Sequence, residues 1–232
     1  MGINFNLPYF EIGIKNYIYG DDILSIAKFA DKAAQKYDID VMMITPYTEI
    51  RRVAENTERL IVIAPYMDLI RPGRGIADVL PEALKAAGAQ GVVINHSERP
   101  MSLSAIAQTI ERARELEMLS FACAGSIAEA KALAVFNPDI INPEPTELIG
   151  GMQPSDMPFV MESIRAIKSI NPSIIVEQAA GITSPDQVYD LIMAGAEAVG
   201  CSSAVFRAKD PFAFIEAMIC SVNEAKKSLA LK

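Results

Sequence analysis

The sequence predicts a closed (β/α)8 barrel of the α/β class, formed by one domain over residues 1–232. Two observations carry this prediction. Apolar segments of strand length alternate eight times with segments of helical periodicity. The apolar segments are also near-continuous, which is what parallel strands buried on both faces require. Eight such strands, each followed by a helix, close into a barrel.

The predicted strands are apolar runs of strand length. In chain order they are FEIGIK (10–15), IDVMMIT (39–45), RLIVIAP (59–65), GVVINH (91–96), MLSFAC (118–123), DIINPE (139–144), SIIVEQA (173–179) and EAVGCSS (197–203). An open doubly wound sheet is the competing architecture. It usually has fewer strands, and its frequent glycine-rich first turn, GxGxxG, does not occur in this chain.

The predicted helices show apolar residues at i, i+3 and i+4, and several begin with Asp or Ser in a capping position. They are DDILSIAKFADKAAQKY (21–37), YTEIRRVAEN (47–56), DVLPEALKAAG (78–88), LSAIAQTIERARELE (103–117), SIAEAKALAVF (126–136), SDMPFVMESIRAIKSI (155–170), SPDQVYDLIMAG (184–195) and DPFAFIEAMICSVNEAKKSL (210–229). Gly88 and Gly195 end two of them in similar phrases, where glycine supplies the left-handed residue after the last turn.

Composition excludes several classes of function. The formal charge of −8 argues against a nucleic-acid partner, which needs a basic face to neutralise phosphates. No apolar run reaches the roughly 18 residues of a membrane span, and the N-terminus carries no signal-peptide pattern. Three cysteines without short paired spacing predict free thiols in a reducing compartment, so we expect a cytoplasmic protein. No cysteine or histidine cluster predicts a metal site.

Three titratable side chains fall at the carboxyl ends of different predicted strands, where barrel enzymes collect their catalytic groups. Lys15 ends the first strand, His96 ends the fourth, and Glu144 ends the sixth. A carboxylate can remove a proton from carbon beside a carbonyl, an imidazole can polarise that carbonyl, and an ammonium can stabilise the enediolate. Asn95 and Glu98 flank the histidine.

Each of these residues also has a purely structural interpretation. The only histidine of the chain could be packed beside Asn95, and Lys15 could be a solvated turn residue. Glu144 could be a carboxylate favoured by a helix N-terminus, and Glu98 could form an ion pair with Arg99. The joint occurrence of lysine, histidine and glutamate at three strand ends favours the catalytic interpretation.

The segments after the seventh and eighth strands predict a phosphate site. Gly181 and Thr183 follow strand seven, and Ser203 ends strand eight. Barrels often bind phosphate there through backbone N–H groups and the N-terminus of a short helix. Together with the strand-end triad, these residues predict an aldose–ketose isomerase that acts on a sugar phosphate.

The motifs INHSER (94–99), EPTELIGG (144–151), AAGIT (179–183) and SSAVFRAKDP (202–211) resemble those of the triosephosphate isomerase family, in particular its shorter archaeal branch or a close paralogue. The resemblance spans nearly the whole chain. It implies interconversion of glyceraldehyde 3-phosphate and dihydroxyacetone phosphate in glycolysis and gluconeogenesis, without cofactor or metal.

The resemblance also implies roles for individual residues. Glu144 would be the base, His96 the electrophile and Lys15 the electrostatic lysine, with Asn95 and Glu98 in support. The phosphate would be bordered by Gly181, Thr183, Ser203 and Ala204. Residues 145–153 would form a lid that begins at Pro145 and contains Gly150 and Gly151. The loop at 70–78 would join subunits into a homodimer or homotetramer.

Gly13 departs from the family pattern, which usually has Asn two residues before the lysine. The missing amide predicts a gap above Lys15 and leaves two further hypotheses open. One is a paralogue that isomerises a larger sugar phosphate, such as a tetrose phosphate. The other is a catalytically weak barrel that binds a phosphorylated ligand.

Overall fold

The computed structural model describes residues 5–151 and 154–231. Within these ranges, eight parallel strands pair in sequence order and β1 pairs with β8, which closes the barrel. This confirms the predicted (β/α)8 barrel, whereas the assignment of all residues 1–232 to one domain stays a prediction. The strands are β1 Tyr9–Gly13, β2 Val41–Ile44, β3 Leu60–Ala64, β4 Gly91–Ile94, β5 Leu119–Ala124, β6 Ile140–Pro143, β7 Ile175–Gln178 and β8 Ala198–Cys201.

Helices surround this barrel at the predicted positions. They are α1 Asp21–Tyr37, α2 Ile50–Ala54, α3 Pro81–Ala86, α4 Leu103–Glu115, α5 Ile127–Ala134, α6 Met157–Ile170, α7 Pro185–Met193, α8 Ser203–Arg207 and α9 Pro211–Ala230. Short 3₁₀ turns occupy Tyr47–Glu49 and Thr146–Leu148. No helix in the described ranges is long and apolar enough to cross a membrane.

Capping residues explain where most of the long helices begin. Side-chain oxygens accept hydrogen bonds from first-turn amides at Ser102, Ser126, Asp156, Ser184 and Asp210. Gly88 and Gly195 follow the last turns of α3 and α7 with φ of 101° and 109°. These left-handed residues confirm the predicted helix ends and return the chain toward the barrel.

Alternation along each strand separates two cores. One face packs against the helices, as Phe10 and Ile12 do on β1. The other face fills the barrel, where Tyr9, Met42, Ile63, Phe121 and Ile140 form a second apolar cluster. The inner positions of β1 and β7 also carry Glu11 and Glu177, which the apolar runs of the sequence did not distinguish.

The eighth strand is shorter than predicted. It ends at Cys201, and the segment assigned to its end instead begins helix α8. Ser203 is therefore the first residue of a helix rather than the last residue of a strand. The change is useful to the site, since a helix start exposes backbone N–H groups that have no partner within the helix.

Candidate active site

A cavity of about 440 Å³ opens at the carboxyl ends of the strands. Lys15, His96 and Glu144 all line it, each delivered by a different strand. The prediction that these three side chains share one site therefore matches their placement. Their catalytic roles are not tested by placement alone.

His96 is held in one orientation and one tautomer. The backbone N–H of Glu98 donates to His96 Nδ1 at 3.1 Å, so Nδ1 carries a lone pair and the ring proton belongs on Nε2. Partial burial lowers the pKa of His96, and the nearby charge of Lys15 lowers it further. The imidazole is therefore neutral near neutral pH, with one N–H to donate.

Lys15 forms an ion pair with Glu98, whose Oε1 lies 2.8 Å from Lys15 Nζ. The sequence had suggested Arg99 as the partner of Glu98, and this expectation was wrong. The Arg99 guanidinium instead lies over the ring of Tyr66, 4.5 Å from its centre. Burial raises the pKa of Glu98, but the hydrogen bond and charge of Lys15 outweigh it and leave the pKa below its usual value.

Glu144 is buried at the end of β6, with 9% of its surface exposed. Burial raises the pKa of its carboxyl group, while the charge of Lys15 and a backbone hydrogen bond from Ala180 act in the opposite direction. The net shift is upward. A carboxylate with a raised pKa is a stronger base than an exposed one, which suits proton abstraction from carbon.

Asn95 supports the site from outside the cavity. Its Nδ2 donates to the Cys123 carbonyl at 3.1 Å and to Glu129 Oε1 at 2.8 Å, while its Oδ1 accepts from the Met101 amide at 3.0 Å. These bonds tie the end of β4 to β5, to α5 and to the following turn. Asn95 itself adopts a left-handed conformation with φ of 60°, which turns the chain so that His96 reaches the cavity.

The predicted phosphate residues divide into two groups. Gly181, Ser203 and Ala204 line the cavity, with the latter two at the start of α8. Thr183 does not line it. The Thr183 amide donates to Gln187 Oε1 at 2.7 Å, and this bond belongs to the capping arrangement at the start of α7.

The predicted lid begins with a buried residue, Pro145, and continues through a 3₁₀ turn to Gly150 and Gly151. Gly150 lines the cavity, and its carbonyl accepts a hydrogen bond from Arg207 Nη1 at 3.2 Å. Arg207 ends helix α8, so the segment is linked to the predicted phosphate loop. Its last two residues, 152 and 153, lie outside the described residues.

The gap predicted at Gly13 is already filled. A Cβ on Gly13 would lie 3.2 Å from both Glu11 Oε1 and Ser202 Cβ. The hydroxyl of Ser202 donates to the Gly13 carbonyl at 2.6 Å, which fixes the serine there. Side chains from β1 and from the end of β8 therefore occupy the space that the sequence suggested was empty.

Sequence reasoning missed two polar residues that line this cavity from inside the barrel. Glu11 and Asn142 both lie on inward strand positions, and each has one buried oxygen without a hydrogen-bond partner among the described residues. Period-two alternation within β1 and β6 could have placed both side chains inside the barrel. No group of three or more histidine, cysteine or acidic residues in the described ranges is arranged to hold a metal ion.

Comparison with known proteins places this site in a family. The family model for triosephosphate isomerase matches residues 14–218. The chain belongs to the triosephosphate isomerase family. It is 33% identical to the triosephosphate isomerase of Methanothermus fervidus over 91% of this chain and 97% of that protein.

Two further relatives named triosephosphate isomerase agree in coverage. The protein of Methanobacterium bryantii is 34% identical over 88% of this chain and 92% of its own length. The protein of Sulfolobus acidocaldarius is 32% identical over 94% of this chain and 96% of its own length. These archaeal relatives confirm the resemblance drawn from the sequence. The match to the family model covers β2 to β8 and begins directly after β1.

Proposed function

We propose that this protein is a triosephosphate isomerase, which interconverts glyceraldehyde 3-phosphate and dihydroxyacetone phosphate. The observation that carries the proposal is the meeting of Lys15, His96 and Glu144 in one cavity. An ammonium, a neutral imidazole and a buried carboxylate are the three groups that an enediolate intermediate needs around it.

The reaction follows from the protonation states of these groups. The Glu144 carboxylate removes a proton from the carbon beside the substrate carbonyl and returns it to the neighbouring carbon. His96 donates its Nε2–H to the oxygen on which negative charge develops and takes up the proton of the neighbouring hydroxyl at the same nitrogen, because its Nδ1 is occupied by the Glu98 amide. Lys15 stabilises the same charge as an ammonium, and Glu98 holds its side chain in place at 2.8 Å.

The substrate phosphate would bind opposite the triad. Gly181, Ser203 and Ala204 offer backbone N–H groups with little steric obstruction, and the start of α8 adds its unpaired amides. Arg207 and Gly150 connect this region to the segment after Glu144. Phosphate binding could thus be coupled to closure over the base, which excludes water from the enediolate.

The contacts of Gly13 favour a triose over a larger sugar. Glu11 and Ser202 crowd this position, since a carbon attached to Gly13 would lie 3.2 Å from each of them. A coupled assay with both triose phosphates, followed by a panel of tetrose and pentose phosphates, tests this. Turnover of a larger sugar phosphate with a higher kcat/KM than the trioses would contradict the proposal. Binding without any turnover would instead favour the non-catalytic barrel.

We also propose that the protein assembles as a homodimer or homotetramer through the loop between β3 and α3. Ile76 is fully exposed on this loop and Leu69 is about half exposed. The base of the loop is fixed, because Asp68 and Val79 exchange two hydrogen bonds. Sedimentation equilibrium of the wild type and of Ile76→Asp tests this, since the charged variant should dissociate.

The cytoplasm is the location we propose. The three cysteines are free, and two of them, Cys123 and Cys201, are buried. Free thiols are typical of reducing compartments. Cell fractionation tests this location.

A further inference from the structure

Two carboxyl side chains lie inside the barrel, below the residues proposed to do the chemistry. Glu11 projects inward from β1 and Glu177 from β7, and both are almost completely buried. The strand between them, β8, pairs Gly200 with Glu11 and Ala198 with Glu177. Two small residues on this strand therefore provide the space in which two acidic side chains approach each other.

The absence of a side chain at Gly200 shows how close the two carboxyl groups come. A Cβ on Gly200 would collide with Glu11 Oε2 and would lie 2.7 Å from Glu177 Oε1. Both oxygens thus border the volume of a single methyl group. Two ionised carboxylates at such separation repel each other strongly, so at least one of them is expected to hold a proton.

Each carboxyl group has a buried Oε1 without a hydrogen-bond partner among the described residues, but only Glu11 lines the cavity. Glu177 Oε2 accepts a hydrogen bond from the hydroxyl of Tyr9 at 2.7 Å, deep in the barrel. Glu11 Oε1 has no partner within the described residues. It lies instead at the floor of the cavity, 3.2 Å from the point where a Cβ on Gly13 would be. A buried polar atom without a partner costs about 1–3 kcal/mol, unless a ligand supplies the missing partner.

The surroundings of Glu11 favour its neutral form. Burial raises its pKa well above the usual value, and the charges of Glu177 and Glu144 raise it further. Lys15 is the one nearby cation that acts in the opposite direction. Tyr9 and Cys123 lie at other inner positions near Glu11 and Cys201 lies at the end of β8, and burial raises the pKa of all three. Burial and two neighbouring carboxyl groups therefore favour the protonated form of Glu11, which can donate a hydrogen bond.

We propose that the carboxylic acid of Glu11 donates a hydrogen bond to a substrate oxygen at the floor of the cavity. This inference rests on the proposed isomerase function and adds a fourth group to its site. Glu11 Oε1 reaches the cavity because Gly13 has no side chain to cover it, and Gly200 leaves the room that Glu11 needs below. No covalent step is involved, since the acid keeps its proton and only shares it with the oxygen that gains charge.

Kinetics of two Glu11 variants against pH test the proposal. Glu11→Leu removes the donor at similar volume, and kcat should fall about 10²-fold with a smaller change in KM. Glu11→Gln keeps an N–H donor, so kcat near neutral pH should stay within about tenfold of the wild type. The alkaline decline that follows ionisation of Glu11 should be absent from Glu11→Gln.

A matched control comes from the neighbouring acid. Glu177 does not line the cavity, so Glu177→Gln should keep the wild-type kcat at the plateau. It removes a negative charge beside Glu11, and the alkaline decline should therefore move to lower pH. In a carbon-13 NMR titration of glutamate carboxyl groups, one of the resonances with a raised pKa should be lost in Glu11→Gln, and that of Glu177 should remain.

The possible results separate this inference from the function on which it rests. A wild type that turns over neither triose phosphate contradicts both. An active wild type whose kcat is unchanged in a folded Glu11→Leu variant contradicts the inference alone. The same holds if Glu11→Gln keeps the wild-type alkaline decline, or if Glu11→Gln is inactive in the folded state. Thermal unfolding of each variant establishes that it is folded, and Glu11→Leu should unfold no lower than the wild type because a buried acid is replaced by an apolar group.

Discussion

Glutamate side chains have opposite roles at the rim of the barrel and in its interior. At the rim, Glu98 faces an ammonium at 2.8 Å, and Glu144 has the charge of Lys15 and a backbone donor to oppose the effect of burial. In the interior, Glu11 and Glu177 face each other. Carboxyl groups with cationic or amide partners can act as anions, whereas those without them keep their protons. Lys15 pairs directly with Glu98 at the rim, whereas burial and the neighbouring carboxyl groups outweigh its charge at Glu11.

The largest effect is expected at the proposed base. Glu144→Gln keeps the shape of the side chain and removes its basicity, so kcat should fall by about 10²- to 10⁴-fold. KM should change little, since binding depends mainly on the phosphate loops. Glu162→Gln is the matched control, because Glu162 is exposed on α6, outside both the cavity and the proposed lid, and should keep wild-type activity. A Glu144→Gln variant with more than half of the wild-type kcat would remove this residue from the mechanism.

His96 is the next position in expected effect. Replacing its ring by an amide in His96→Gln should lower kcat about 10²-fold, because one donor aimed at developing charge is displaced. NMR of the single histidine should show a titration displaced below the ordinary value near 6.5 and a neutral ring from about pH 7 to 8. The contribution of the neutral His96 ring to stability is fully present above the pKa of the unfolded state. It is lost as the pH falls through the lower pKa of the folded state. A normal titration with unchanged activity would support a structural role instead.

A smaller effect is expected from the rim ion pair. Glu98→Gln leaves Lys15 without its carboxylate, and kcat should fall by no more than about tenfold because the ammonium is misplaced rather than removed. Stability should change by less than about 1 kcal/mol, because the Glu98 side chain is 59% exposed and solvent screens the pair. Parallel kcat and urea-unfolding measurements test this. If the free energy of unfolding fell by as much as the activation free energy rose, Glu98 would act through folding.

The smallest effect on activity, and the opposite effect on stability, is expected in the interior. The pKa of Glu177 rises from about 4.5 unfolded to about 8 folded, so this group costs stability increasingly as pH rises between those values. Glu177→Gln should therefore match the wild type near pH 5 and exceed it near pH 8, on the order of a few kcal/mol. Tyr9 can still donate to the amide oxygen. Urea unfolding at both pH values tests this prediction. A Glu177→Gln variant that is less stable than the wild type at the higher pH would contradict the comparison between rim and interior.

The rim was predictable from sequence because its position follows from topology. Parallel strands bring their carboxyl ends together, so Lys15, His96 and Glu144 had to share one end of the barrel once eight strands were recognised. Their partners were not predictable. Glu98 could pair with Lys15 or Arg99 with equal plausibility along the chain, and only the folded geometry selects Lys15. Helix α8 was likewise hidden, since CSSAVF suits a strand end as well as a helix start.

The interior was missed for a different reason. FEIGIK and SIIVEQA were interpreted as apolar runs, and a single glutamate does not change the strand assignment of either. Their significance depends on a pair of distant positions that the closure of β1 on β8 brings together. Alternation alone places each acid inside the barrel, but it does not show that they meet. Only the folded structure shows that the carboxyl groups of Glu11 and Glu177 approach each other beside Gly200.

Gly200 also constrains the order in which this barrel could change over evolutionary time. A side chain at that position would overlap Glu11 Oε2 and lie 2.7 Å from Glu177 Oε1, so both carboxyl groups would have to move to admit it. The reverse substitution, a new glutamate at position 11, requires the glycine to be present first. The two positions are thus expected to be epistatic, with one mutational path open and the other closed by steric overlap. The acid at position 11 therefore restricts how the barrel can evolve further, because a single substitution on the neighbouring strand cannot remove it.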